Sequence, residues 1–270
     1  MAYNLLKGKK GIIFGALNEQ SIAWKVAQRA VQEGAEIVLS NAPIALRMGE
    51  LNKLAEECNA PVIAADVTSN QDIENLLTKT QEHFNGGVDF ILHSIGMSVN
   101  VRKSIPYPEN NYDYTFKGFD ISALSLHRIL QEAMKKDLIN EWGSVVALSY
   151  IAAQRYFPGY NDMADNKAVL ESIARNFGYE YGMKKNVRVN TISQSPTRTT
   201  AGSGVKGFDG FIEFAEKMSP LGNANADQCA DYVVTLFSDL TRMVTMQNLF
   251  HDGGFSYTGV TQAVIDQMGK

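Results

Sequence analysis

An α/β fold built on one doubly wound parallel sheet of about seven strands, with helices on both faces, is predicted by three observations. Short continuous apolar runs rich in Val and Ile alternate with helical stretches along the whole chain. No linker, repeat or shift in composition divides the 270 residues, so a single domain over 1–270 accounts for them. Glycines and small polar residues stand where the apolar runs end, and sheets of this kind bind ligands at the carboxyl ends of their strands.

The elements follow in order. "GIIFG" (11–15) reads as the first strand, followed by a helical pattern from Ser21 to Glu33. "AEIVLS" (35–40) and "APVIAADV" (60–67) read as strands on either side of a helix, and a second helix follows near 70–84. "VDFILHSIG" (88–96) is the fourth run, followed by an irregular stretch rich in Asn, Pro and Tyr and then a helix near 120–136. "GSVVALSY" (143–150) precedes a helix placed at about 158–182, "VRVNTIS" (187–193) is the sixth strand, and "TMQNLFH" is a short last one. Helical patches near 211–217 and 226–238 complete the reading. Runs that are apolar throughout, rather than alternating, are what a sheet covered on both faces requires.

Composition narrows the function. Hydrophobic residues make up 45% and charged residues 20%, as in ordinary globular chains, and a net charge of −4 favours neither nucleic acid nor an anionic membrane. No apolar stretch is long enough for a signal peptide or a bilayer span, so a cytoplasmic location is expected. Cys58 and Cys229 form no spacing motif, and the four histidines lie far apart, so no metal site is expected.

The residues that could carry chemistry sit at strand ends. Gly15 permits a tight turn beside a phosphate, and Ser21 could cap a helix whose first amides suit a pyrophosphate, although a plain strand-to-helix turn fits as well. Asp66 could accept from an adenine amino group with Val67 against the ring, or it could belong to the cap of the next helix. Ser94, Ile95 and Gly96 are small enough to let a sugar approach. Tyr160 and Lys167 are seven residues apart, almost two turns, which would put both on one helix face about 10 Å apart along the axis. An ammonium there would stabilise a phenolate and lower the phenol from its ordinary pKa of about 10. Tyr150 ends a strand, where an aromatic plug is an equally good account of it.

Taken together, G-A-x4-S-I-A at 15–23, D-V at 66–67, H-S-I-G at 93–96, L-S-Y at 148–150, Y-x6-K at 160–167, R-V-N at 188–190 and S-P-T-R-T at 195–199 form an ordered set. In this the chain resembles the short-chain dehydrogenase/reductase superfamily, which has a Rossmann-like fold, and within it the bacterial enoyl-acyl-carrier-protein reductases. The resemblance spans nearly the whole chain. It implies reduction of the trans-2 double bond of enoyl thioesters on acyl carrier protein. Tyr160 would hydrogen-bond the thioester oxygen, Lys167 would hold the nicotinamide ribose, and Tyr150 would help position the thioester. Ile22 joins Gly15, Ser21, Asp66, Val67 and Ser94–Gly96 in the implied cofactor site, as do Pro196, Thr197 (carboxamide) and Thr199 (pyrophosphate). Met97, Ser98 and Phe208 join the tyrosines in the implied substrate site. Phe211 and Met218 are further candidates for acyl contact, or for core.

Carbonyl-reducing members of the superfamily carry a serine 13 residues before the active tyrosine; here Ala147 stands there. A carbonyl or 3-oxoacyl reductase is therefore the first rival, and a dinucleotide sensor without turnover the second. Ala42 and Pro43 occupy the turn where NADP-preferring relatives place a cation, which favours NADH over NADPH. Residues 200–217 are expected to form a lid over the acyl chain, with Phe208, Phe211, Ile212 and Phe214 on one apolar face. Basic residues that meet the carrier are thinner than in the family: Lys206 is followed by Asp209 and Gly210. The helices near 120–136 and 158–182 carry apolar residues on more than one face, which, with the resemblance, predicts a homotetramer.

Overall fold

A computed structural model describes residues 2–47, 50–199 and 207–268. Six parallel strands form its sheet: β1 (Lys10–Phe14), β2 (Glu36–Ser40), β3 (Val88–His93), β4 (Ile139–Ser149), β5 (Arg188–Gln194) and β6 (Asn248–His251). They are ordered β2-β1-β3-β4-β5-β6. The helices are α1 (Ile22–Gln32), α2 (Pro43–Leu46), α3 (Glu50–Cys58), α4 (Asn70–Phe84), α5 (Val99–Arg102), α6 (Tyr112–Phe119), α7 (Ser125–Lys135), α8 (Asp162–Lys185), α9 (Phe208–Met218), α10 (Ala226–Phe237) and α11 (Gln262–Met268). No helix among the described residues is long and apolar enough to cross a membrane.

Both faces of the sheet are covered, and successive strand residues serve opposite cores. Ile13, Leu39, Phe90 and Ile192 pack beneath α1, α3 and α10 with Trp24 and Phe237. Ile12, Phe14, Val38 and Val145 pack beneath α4, α7 and α8 with Leu76, Ile129 and Leu170. This explains why the runs are apolar at every position.

The run at 60–67 is not a seventh strand. It lies along β2 through Leu39 N–H to Pro61 O, Ile63 N–H to Leu39 O and Ala65 N–H to Asn41 O, but makes only one bridge, Leu39 with Val62. Pro61 has no N–H to extend a ladder, and most of the segment is half-buried or exposed, with only Ala60 and Ala65 buried. The long helix expected after the second strand is divided into α2 and α3. α8 starts later than the spacing suggested: Asn161 is its N-cap, so Tyr160 lies in the turn before the helix. Between α6 and α7 the chain widens into one π-turn over Asp120–Leu124.

β1 and β3 diverge in topology, with their connections leaving in opposite directions, which opens a crevice at their carboxyl ends. The two ends nearly touch. Gly15 has φ +94, and a Cβ there would lie 2.0 Å from the Ser94 carbonyl oxygen. Only glycine fits that contact.

Candidate active site

A cavity of about 220 Å³ opens at these strand ends. One wall is the segment after β3, from Ser94 to Ser98, with Val101 and Arg102 of α5. The opposite wall is the end of β4, Leu148 to Tyr150, with Phe157, Tyr160 and Met163. Ile22 of α1, Lys167 of α8, and Pro196, Thr197 and Thr199 after β5 also face it.

The post-β3 wall is held from behind. Ser122, inside the π-turn, accepts from the Met97 N–H (2.9 Å) and donates to the Met97 carbonyl (3.0 Å). Ser125 donates to Ile121 O, so the imidazole Nε2–H of His93 donates to Ser125 Oγ at 2.8 Å. Complete burial, with Lys167 nearby, pushes His93 down to about 3, so the ring is neutral. At Gly96 an added Cβ would lie 3.6 Å from Lys167 Nζ and 3.4 Å from the Met163 methyl. The missing side chain therefore leaves room beside the ammonium.

Lys167 is buried and donates to the Leu148 carbonyl at 2.7 Å. Burial lowers it to about 8, against a smaller opposing pull from Glu171 one turn away. Glu171 in turn accepts from Ser149 Oγ (2.7 Å) and Gln154 Nε2 (3.2 Å), tying α8 to the end of β4. The Tyr160 ring lies 5.0 Å from that of Tyr150, and Phe157 and Phe211 close the aromatic group. Burial raises both phenols. For Tyr160 this is opposite to the expected lowering by Lys167: the shift comes from the cost of burying a phenolate. Tyr160 is thus a persistent hydrogen-bond donor. The Tyr150 hydroxyl is buried without a hydrogen-bond partner among the described residues.

Not every expected residue faces the cavity. Gly15 acts from beneath through the Ser94 contact. Ser21 is the N-cap of α1 but caps none of its amides; its hydroxyl accepts from Leu17 N and Asn18 N (3.1 Å each) and shapes the turn instead. Asp66 is exposed and accepts from the Thr68 amide and hydroxyl, which lower its pKa. Ser69 caps α4, and Val67 packs partly buried against the α4 core. Met218 is buried, with its helix face formed by Phe211, Ala215 and Met218, whereas Phe214 is 45% exposed and touches Phe255. Residues 200–206 and the side chain of Phe208 lie outside the described residues. The spacing argument missed Ser149, Phe157, Met163 and Gln194, which are brought in by the β4 and β5 ends and by the α8 turn. Only the strand-end position of Ser149 and Gln194 could have signalled them.

The glycine contact at the first turn, the room beside a buried lysine and the tyrosine across the cavity define a dinucleotide-dependent enzyme of the short-chain dehydrogenase/reductase class. The comparisons specify the family. The model of the family described as "Enoyl-(Acyl carrier protein) reductase" matches residues 15–256. The NADH enoyl-[acyl-carrier-protein] reductase FabI of Rickettsia bellii is 35% identical over 98% of this chain and 100% of its own. The FabI–NADH complex from Alistipes finegoldii is 67% identical, with a TM-score of 0.96 over 97% of this chain and 92% of that one. The NADH enoyl reductase structure from Aquifex aeolicus is 31% identical, with a TM-score of 0.88 over 95% of this chain and 100% of that one. The chain belongs to the enoyl-(acyl carrier protein) reductase family.

The depressed Lys167 has two effects of opposite sign. Its folded pKa, about 8, lies below its ordinary value of 10.5, so burying the ammonium costs stability below pH 8. That cost is relieved as pH rises from about 8 toward 10.5. NADH affinity should move the other way, falling above about pH 8 as the ammonium is lost. Fluorescence titration of NADH across this range, with Lys167→Met as control, checks it: the control should show no such decline.

Proposed function

We propose that this chain reduces the trans-2 double bond of enoyl thioesters carried on acyl carrier protein, with NADH as reductant. The observation that carries this reading is the tyrosine pair. Tyr150 stands 5.0 Å from Tyr160, ring to ring, on the cavity wall. Ala147, at the position where carbonyl reducers keep a serine, is buried in the sheet core away from the cavity.

When bound, the dihydronicotinamide supplies the hydride that adds to C3 of the enoyl group. The residues do the rest. The room at Gly96, Lys167 Nζ and the Pro196–Thr199 segment suit the ribose, carboxamide and phosphates. The undercrowded first turn of α1 leaves its amides for the pyrophosphate. Tyr160 donates to the thioester oxygen, where negative charge gathers as the enolate forms. Its raised pKa keeps the proton on the phenol, so C2 is protonated from water. Tyr150 and Phe157 form an apolar wall that restricts water beside C3, where the hydride is added.

Residues 200–217 act in this reading as a lid, with α9 as its described part; Phe211 already packs against Phe157 at 5.0 Å between ring centroids. A cytoplasmic homotetramer completes it. Supporting the assembly, Tyr112, Phe116, Tyr179 and Met183 of α6 and α8 are large apolar side chains more than half exposed.

Crotonyl and acetoacetyl thioesters, each mixed with enzyme and NADH, separate the readings. NADH absorbance should fall with the crotonyl thioester alone. A fall with the acetoacetyl thioester alone would make the protein a carbonyl reductase, and no fall with either would make it a sensor.

A further inference from the structure

The geometry points to Arg102 as the residue that recognises the phosphate on the pantetheine arm of the substrate. This rests on the enoyl-thioester reading above. A thioester on a carrier reaches the cavity at the end of a long flexible arm whose far end bears a phosphodiester. The thioester itself is neutral, so any charge-based recognition must occur toward the cavity mouth.

Two cations line the cavity among the described residues, Lys167 and Arg102. Lys167 is buried and already occupied by the Leu148 carbonyl. Arg102 is exposed, and among the described residues its guanidinium has no ion pair and no hydrogen bond. Neighbouring cations are committed elsewhere: Lys103 Nζ lies 2.7 Å from the Tyr114 hydroxyl, and Arg198, near the lid, pairs with Asp209. Asp209 of α9 holds Arg198, and neither of the two lines the cavity. Among the described residues, the unpaired positive charge at the cavity is that of Arg102, on the post-β3 wall.

That wall is built to hold its position. Ser98 caps α5 by accepting from the Val101 amide, and its own hydroxyl donates to Asp162 Oδ1 at 2.5 Å. Asn100 donates to Asp162 Oδ2 at 2.7 Å. Asp162 is fully buried at the start of α8, directly after the Tyr160–Asn161 turn. Asn161, held at φ +46, donates from its amide to Ile105 O at 2.6 Å. One buried carboxylate thus fastens the short helix that carries Arg102 to the turn that carries Tyr160. The anion contact and the donor to the thioester oxygen belong to one rigid unit. A planar guanidinium is suited to two parallel hydrogen bonds to a phosphate.

The test compares crotonyl-pantetheine with crotonyl-4′-phosphopantetheine, which differ by the phosphate, and with the crotonyl-loaded carrier. The parent should prefer the phosphorylated thioester in kcat/KM, mainly through KM, and the preference should shrink as salt is added. Arg102→Met should lower that preference fivefold or more and flatten its salt dependence, while Arg102→Lys recovers part of it. The carrier-bound substrate should lose in parallel. A preference in Arg102→Met equal to the parent's overturns the inference. So does a loss confined to the carrier-bound substrate, which would place the contact on the carrier's protein surface. A parent that reduces none of the three thioesters overturns the reductase reading and this inference with it.

Discussion

Tyr160→Phe is expected to lower kcat by roughly thirty- to a thousand-fold, the equivalent of about 2–4 kcal/mol for one donor aimed at a developing oxyanion in a dry site. The substitution keeps the ring that packs against Tyr150 and removes only the hydroxyl. NADH affinity and thermal stability should therefore stay near the parent's. Because burial raises the phenol, no ionisation of Tyr160 should appear in the working pH range. The pH profile of the parent should show no break that the variant abolishes. Stopped-flow single turnovers with crotonyl thioester measure the chemical step directly. A variant within threefold of the parent would remove Tyr160 from the reaction centre.

Lys167→Ala should lower turnover as well, but with a different signature, because NADH affinity is expected to fall with it. Lys167 joins the Leu148 carbonyl to the space left by Gly96, the place proposed for the ribose. Losing the ammonium removes both a hydrogen-bond donor and a positive charge that lines the cavity. Stability should change little. The Leu148 carbonyl loses its side-chain donor, at a cost on the order of 1–3 kcal/mol, while the dehydration cost of a buried ammonium disappears and is of similar size. Calorimetric titration of NADH with the parent and the variant decides the matter. If the variant binds NADH as tightly as the parent, the role assigned to Lys167 is wrong.

The sheet was largely legible because five of its six strands are largely buried on both faces, which leaves a nearly unbroken apolar run in the sequence. The run at 60–67 has the same look but sits at an edge, and its proline removes the donor that a ladder needs. Lys167, Tyr150 and the Ser94–Gly96 segment were found because strand ends and motif spacing mark them. The helix start was misplaced because Tyr-x6-Lys fits a helix wherever it begins, and only the positive φ at Asn161 stops the winding there. Asp66 and Ser21 were each read with a cofactor role and a local one, and the local use is the one seen: Asp66 Oδ1 accepts from Thr68 and Ser21 Oγ from Leu17 and Asn18, as short polar side chains readily do. The pKa of Tyr160 had the wrong sign because burial depends on tertiary packing, which spacing does not encode. Asp162 showed no signal at all: its partners Ser98 and Asn100 are more than sixty positions away, at 64 and 62.

The π-turn over Asp120–Leu124 bears on how this lineage can change. It places Ser122 against Met97, on the cavity wall, and Ser125 against His93, at the buried end of β3 that leads into that wall. Deleting one residue there would restore regular winding and rotate everything on one side by about 100° relative to the other. Both serines could not then keep their partners. Substitutions around this segment can accumulate one at a time, whereas a change of length must be matched by a simultaneous rebuilding of the loop after β3. Divergence among descendants should therefore appear here as altered side chains and almost never as gaps.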